Sequence, residues 1–234
     1  MIFAALAAVI AFSPQRAIAQ EVPLTRIAQI YGISADPFGE EILYLASERG
    51  FFSVGPDGLA QRLSPGTNKF TGFAADPSRS GRFIAAGDAT ADTLLVTEDF
   101  GRSWAAIAVA TPPPAFLTLD TFTFDPKQMT GASDAIYRTF DGGLTWVSPG
   151  PVPGAVADLA ISARYADTLF AGTTTGLFFS QDGGQSWKLA LAEGRPTSMV
   201  QTMADGRVFA FVIGQGLYVG GDSGEIWALL AAAD

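Results

Sequence analysis

Each of the four tryptophans stands five residues after an aspartate, as Asp99 and Trp104, Asp141 and Trp146, Asp182 and Trp187, and Asp222 and Trp227. The aspartates advance by 42, 41 and 40 residues, and a further step of 42 back from Asp99 lands on Asp57, followed by Gly58. The chain is therefore a repeat of five units, the first degenerate. A period of about 40 residues with several short strands per unit is the signature of a β-propeller. The expectation is an all-β propeller of about five four-stranded blades, one domain over 24–234, with units at 24–66, 67–110, 111–150, 151–193 and 194–234. A residue that recurs in every unit builds the unit, so the repeated aspartates are weak candidates for chemistry.

The fullest copy reads Ser180-Gln181-Asp182-Gly183-Gly184-Gln185-Ser186-Trp187, and Thr139-Phe140-Asp141-Gly142-Gly143-Leu144-Thr145-Trp146 follows it closely. The copy at Thr97 to Trp104 has Phe100 in place of one glycine, and the last, Gly220 to Trp227, lacks the leading hydroxyl. Here the sequence resembles the Asp-box, or bacterial neuraminidase repeat, of sialidases and sortilin-like propellers. Asp and Ser/Thr side chains hydrogen-bond nearby turn backbone, and Gly supplies the positive φ of a tight hairpin. Each box is thus a turn clasp joining the third and fourth strands of its unit, with the Trp set to pack between neighbouring sheets. On this reading Asp182→Ala and Trp187→Ala lower stability without removing any chemistry.

In the fourth unit the strands fall at about 156–162, 168–173, 176–180 and 186–191, where runs of apolar residues are bounded by turn residues. The first unit has the same phase, with Arg62 where the Trp would stand. Asp36-Pro37, Asp76-Pro77 and Asp125-Pro126 close the first strands of units one to three, because Pro cannot donate to a ladder. Pro112-Pro113-Pro114 reads as a stiff connection. The chain opens with a first strand and finishes with a fourth strand, so ring closure would rest on side-chain packing between units one and five. The Trp-less box makes that seam weak, with an open or oligomeric arrangement as the alternative to the expected monomer.

The apolar run from Ile2 to Phe12, followed by Ala17-Ile18-Ala19, resembles a secretory signal peptide over residues 1–19, although the first basic residue is Arg16. An extra strand or core segment is the other reading. A periplasmic or secreted location is expected, with no transmembrane segment after the leader. Cysteine and histidine are absent, which excludes disulfides, thiolate chemistry and every Ser-His or Cys-His catalytic arrangement. No metal or cofactor is expected. The net charge of −9 speaks against nucleic acid and anionic membranes as partners.

Aligning first strands on the Asp-Pro turns makes Tyr31, Thr71 and Asp120 equivalent, and Asp158 falls beside that layer. Tyr31, Asp120 and Asp158 are the candidates for a polar pocket at the channel mouth. Two carboxylates suffice for a glycosidase, but the Trp side chains that would stack sugar rings are committed to the boxes. The sequence also resembles a group of small secreted bacterial Asp-box propellers labelled glycosyl-hydrolase-like. Those carry histidines in the first strand where this chain has Gln29 and Tyr31, so no metal or imidazole role is implied. True sialidases share only the boxes, and Arg26-Ile27-Ala28 lacks the proline of their arginine motif. Similar propellers also serve as a photosystem II assembly factor and as sortilin-type receptors. Those relatives imply an exported non-catalytic scaffold binding a protein or a small ligand or glycan, with a glycoside hydrolase acting through channel-mouth carboxylates as the alternative.

Overall fold

The computed structural model describes residues 21–27, 29–36, 38, 41–64, 70–87, 94–110 and 116–233. The leader expected over 1–19, Pro37 and the Pro112-Pro113-Pro114 stretch lie outside these residues. The chain forms five antiparallel sheets in sequence order, the blades of a β-propeller. Blade one contains β2 (Ile30–Ala35), β3 (Leu43–Ser47), β4 (Gly50–Val54) and β5 (Leu59–Arg62), with β1 (Glu21–Pro23) paired to the outer edge of β5. Blade two is β6 (Gly72–Ala75), β7 (Phe83–Ala86), β8 (Leu94–Thr97) and β9 (Ala105–Ala106). Blade three is β10 (Thr118–Thr121), β11 (Met129–Ala132) and β12 (Ile136–Thr139), and its fourth strand is reduced to a single bridge between Arg138 and Val147. Blade four is β13 (Val156–Ile161), β14 (Leu169–Thr173), β15 (Gly176–Ser180) and β16 (Lys188–Leu191). Blade five is β17 (Thr197–Thr202), β18 (Arg207–Val212), β19 (Gly216–Gly221) and β20 (Trp227–Ala232). The strands expected in unit four match within two residues. Strand β1 was not anticipated, because a three-residue strand carries no periodicity of its own.

The boxes join third to fourth strands. In the second, third and fourth boxes the Thr or Ser hydroxyl donates to Asp Oδ1 at 2.8, 2.8 and 2.7 Å and accepts the N–H of Gly101, Gly143 or Gly184. The same carboxylate then accepts the backbone N–H and the hydroxyl four residues on, at Ser103, Thr145 or Ser186. Every indole N–H donates to a box glycine carbonyl, Gly101, Gly143, Gly184 or Gly224, at 3.0 to 3.1 Å. Phe100 takes a glycine's place at φ +62, held by packing against the Tyr44 ring of the preceding blade. In the degenerate first box, among the described residues, Asp57 accepts the Leu59 N–H and Arg62 lies over the Phe52 ring.

Apolar clusters fill each gap between consecutive blades. Tyr44, Ala46 and Phe51 of blade one meet Phe73 and Phe83 of blade two, while Ile84, Ala86 and Leu94 meet Phe116, Leu119 and Trp146 across the next gap. Ala132 and Ile136 meet Val156 and Leu159, and Phe170, Leu177 and Phe179 meet Val200, Val208 and Ala210. Each Trp packs on the blade before its own: Trp104 on Phe51, Trp146 on the blade-two cluster, Trp187 on the blade-three clusters and Trp227 on Phe170. Among the described residues no cluster joins blade five to blade one.

Candidate functional site

The inner strands β2, β6, β10, β13 and β17 surround a channel of about 660 Å³. Tyr31, Asp120 and Asp158 all line it, so the structure brings the three sequence candidates to one cavity. They do not occupy one layer. Asp36 and Asp76 sit just past the inner strands, their N–H groups donating to Ile42 and Arg82 carbonyls, but in blade three that position is Phe122, which donates to Gln128. Asp125-Pro126 comes three residues later in its turn, since the proline can occupy more than one position of a loop. The strand register therefore makes Leu117 the counterpart of Tyr31 and Thr71, while Asp120 matches Ser34 and Ala74. Asp158 matches Gly32, Gly72 and Thr118.

Both carboxyl groups reach across a blade gap. Asp120 Oδ1 accepts the Thr121 N–H and its Oδ2 accepts the Ile161 N–H of blade four, each at 2.8 Å. Asp158 Oδ1 accepts the Thr118 hydroxyl of blade three at 2.8 Å and its own neighbour's N–H from Leu159. Its Oδ2 accepts the Val200 N–H of blade five at 2.9 Å. Thr118, Asp158 and Val200 thus tie three blades in series, and sequence reading missed Thr118 because a threonine inside a strand carries no signal. Burial pushes the Asp120 carboxyl up to about 7 against the pull of its two backbone donors, and the nearby Asp158 charge adds to the rise. Burial raises Asp158 as well, opposed by the donors at Val200, Thr118 and Leu159.

Most of the other lining residues are apolar, among them Tyr31, Ile33, Leu117 and Met199, all solvent-exposed, although the surface the channel presents is about equally polar and apolar. Among the described lining residues there is no arginine or lysine. The arginines are used elsewhere: Arg82 pairs with Asp76 and Glu98, and Arg207 with Asp205. Arg138 of blade three is buried and donates to Asp167, the Ala166 carbonyl and the Gly183 carbonyl of blade four. Arg164 of blade four donates to Asp222 at 2.6 Å, so the fifth box aspartate, which has lost its hydroxyl partner, serves as an interblade anchor. Among the described residues no arginine clamp for a carboxylated sugar is assembled in the channel, and no group of acidic side chains that could hold a metal ion occurs. Among them, too, no helix is long and apolar enough to cross a membrane.

The BNR/Asp-box repeat family matches residues 178–189, the third strand of blade four and its box. None of the curated proteins matches the sequence significantly. Among solved structures the chain is similar to the GH74 xyloglucanase from Xanthomonas campestris, at 15% identity and a TM-score of 0.66 over 92% of this chain and 40% of that one. It is also similar to a GH74 enzyme from Niastella koreensis, at 16% identity and a TM-score of 0.65 over 86% of this chain and 30% of that one. A third similar structure is YCF48 bound to D1 peptide, at 17% identity and a TM-score of 0.60 over 91% and 72% of the two chains. The chain spans well under half the length of the two GH74 enzymes, and at such identities the likeness is one of fold. Fold and boxes together define the class: the chain is a β-propeller built from BNR/Asp-box repeats.

Proposed function

We propose that this propeller is an exported, non-catalytic binding or assembly scaffold that offers its channel face to a protein or small ligand. The observation that carries this reading is the use made of Asp120 and Asp158. They are the carboxylates of the described channel lining, and every oxygen of both accepts a hydrogen bond, from backbone N–H groups and from the Thr118 hydroxyl. A nucleophile or a proton-transferring acid has to exchange such partners during a reaction cycle, and doing so here would unfasten adjacent blades. The exposed side chains of Tyr31, Ile33 and Leu117 instead offer apolar contact area on a rigid frame, the property that a binding face requires. The similar YCF48 structure has a peptide bound.

A hydrolase remains the second reading, because Asp120 is held near 7, in the range of a general acid, and two of the similar structures are GH74 enzymes. The two readings separate in one assay set. The purified protein is expected to release no reducing ends from xyloglucan or a panel of glycosides, and to retain peptides from an apolar pool through a channel that Leu117→Asp disables. Glycoside turnover abolished by both Asp120→Asn and Asp158→Asn would overturn the scaffold.

A further inference from the structure

Among the described residues the ring is not sealed. Successive inner strands pack on one another, β2 on β6, β6 on β10, β10 on β13 and β13 on β17, whereas no comparable packing joins β17 to β2. One register position shows the consequence. Phe73, Leu119, Leu159 and Val200 face the preceding blade and are 7%, 5%, 3% and 2% exposed, while their counterpart in blade one, Ile33, is 58% exposed.

Both sides of the gap are built differently from the closed interfaces. On blade one, Leu45, Phe52, Val54 and Ala60 turn toward the gap, and Ile27 and Val22 from the segment before β2 pack over them. On blade five the position opposite the next inner strand is Phe211, which is 37% exposed. Its counterparts are Ala46, Ala86, Ala132 and Gly172, all buried. A small residue is required there because the following inner strand passes close by: a Cβ on Gly172 would lie 2.8 Å from the Thr197 carbonyl oxygen of blade five. A phenylalanine at this place keeps an ordinary following blade out. The face it belongs to carries Met199, Phe209, Phe211, Leu217 and Val219, the positions that look toward the next blade in the other sheets, and none of them is covered as its counterparts are.

We propose that this face of blade five is the contact between two copies of the chain, packed sheet to sheet about a two-fold axis. Three features favour a second copy, against the monomer expected from the sequence. The chain carries a net charge of −9, yet none of these five positions is acidic, so two copies meet there without opposed carboxylates. The outward side chains on β18 are Arg207, Phe209 and Phe211, with the Arg207 guanidinium lying over the Phe209 ring, and the two phenylalanines form an aromatic ridge that interdigitates with its own symmetry mate, as the inner faces of two sheets do at a spacing of about 10 Å. Four strands about 4.8 Å apart and six residues long, at about 3.3 Å each, give a flat footprint of roughly 380 Å² per copy, the size of weak, transient contacts rather than of stable interfaces. The dimer is therefore reversible and concentration-dependent.

Sedimentation equilibrium of the purified protein between about 1 and 100 µM tests this. The expected result is a monomer–dimer equilibrium whose dissociation constant rises at least ~30-fold in Phe211→Asp, the loss of one hot-spot contact. Phe124→Asp, at an exposed site in the turn after β10, should leave it unchanged. Unaltered melting and near-ultraviolet circular dichroism in Phe211→Asp show that the variant folds, and Met199→Lys gives a second disruption on the same face. A wild-type monomer throughout that range overturns the proposal. So does a dimer that survives Phe211→Asp and Met199→Lys but is lost in Ile33→Asp, which would put the contact on blade one.

Discussion

At the residue scale the box is a hydrogen-bonded knot whose buried member is the hydroxyl, not the aspartate. Thr139 is almost wholly buried and satisfies the Gly143 N–H, so Thr139→Ala strands that donor and should cost about 1–3 kcal/mol by urea unfolding. Trp146 is the most buried box indole, and Trp146→Ala should cost about 3–5 kcal/mol, more than Trp187→Ala at its half-buried site; equal losses for the two would contradict the packing order. The carboxylates also set the pH profile, with opposite signs. Burial raises Asp99, but the Ser103 and Thr97 bonds outweigh it and hold it at about 2. Asp141 and Asp182 are held at about 2 chiefly by the hydroxyls of Thr145 and Ser186. These folded-state values lie below the ordinary 3.8, so the clasps stabilise above about pH 4 and that contribution is lost as pH falls toward 2. Asp120 lies above its ordinary value at about 7, so its contribution is full below about pH 4 and is lost as pH rises to 7, with a slope of up to ~1.4 kcal/mol per pH unit. Asp158 is shifted the same way. Urea midpoints should peak near pH 4 to 5, and Asp120→Asn should flatten the limb between pH 4 and 7; a flat wild-type limb there would refute the burial of this carboxyl.

At the element scale, blade spacing depends on small residues where a middle strand passes under the next inner strand. Gly172 is the tightest such point, since its added Cβ would meet backbone rather than a flexible side chain. Gly172→Ala should therefore cost about 1–3 kcal/mol, and the loss should be accompanied by a changed Trp227 emission, because Trp227 packs across that same gap on Phe170. A neutral Gly172→Ala would mean that blade five slides freely on blade four. This level of organisation was only partly legible in the sequence. The boxes, their spacing and the strands of unit four could be read directly, because Gly, Asp and Trp mark turns that recur at a fixed interval. The channel register could not, because Asp125-Pro126 imitates the Asp36 and Asp76 turns while standing three residues later, and backbone pairing rather than motif alignment sets the phase. Thr118 and Arg138 were silent for the same reason: their partners, Asp158 and Asp167, lie 40 and 29 residues away and belong to the next blade.

At the scale of the whole molecule, the five blades, as far as the described residues go, form a stack with two ends rather than a uniform ring, and stability should be graded along it. Blades two, three and four are packed on both faces, by clusters that share aromatic and aliphatic side chains with each neighbour. They are also cross-tied by Asp120, Asp158, Arg138 and the Thr71 hydroxyl, which donates to the Phe116 carbonyl at 2.7 Å. Among the described residues, blade one has one packed face and a second covered by Val22 and Ile27, while blade five has one packed face and a bare one. In such quasi-linear assemblies each unit draws its stability from its own sheet and its nearest neighbours, so units with fewer interfaces open first. Native-state hydrogen exchange at low micromolar concentration should therefore find the amides of β18 and β19 least protected among the middle strands, those of β3 and β4 intermediate, and those of β11 and β14 most protected. Raising the concentration should slow exchange selectively in β18 and β19 as the second copy covers them. Uniform protection at all concentrations would mean that the gap between blades one and five closes in solution, and protection of β18 in the dilute monomer would mean that its face is covered from within the chain.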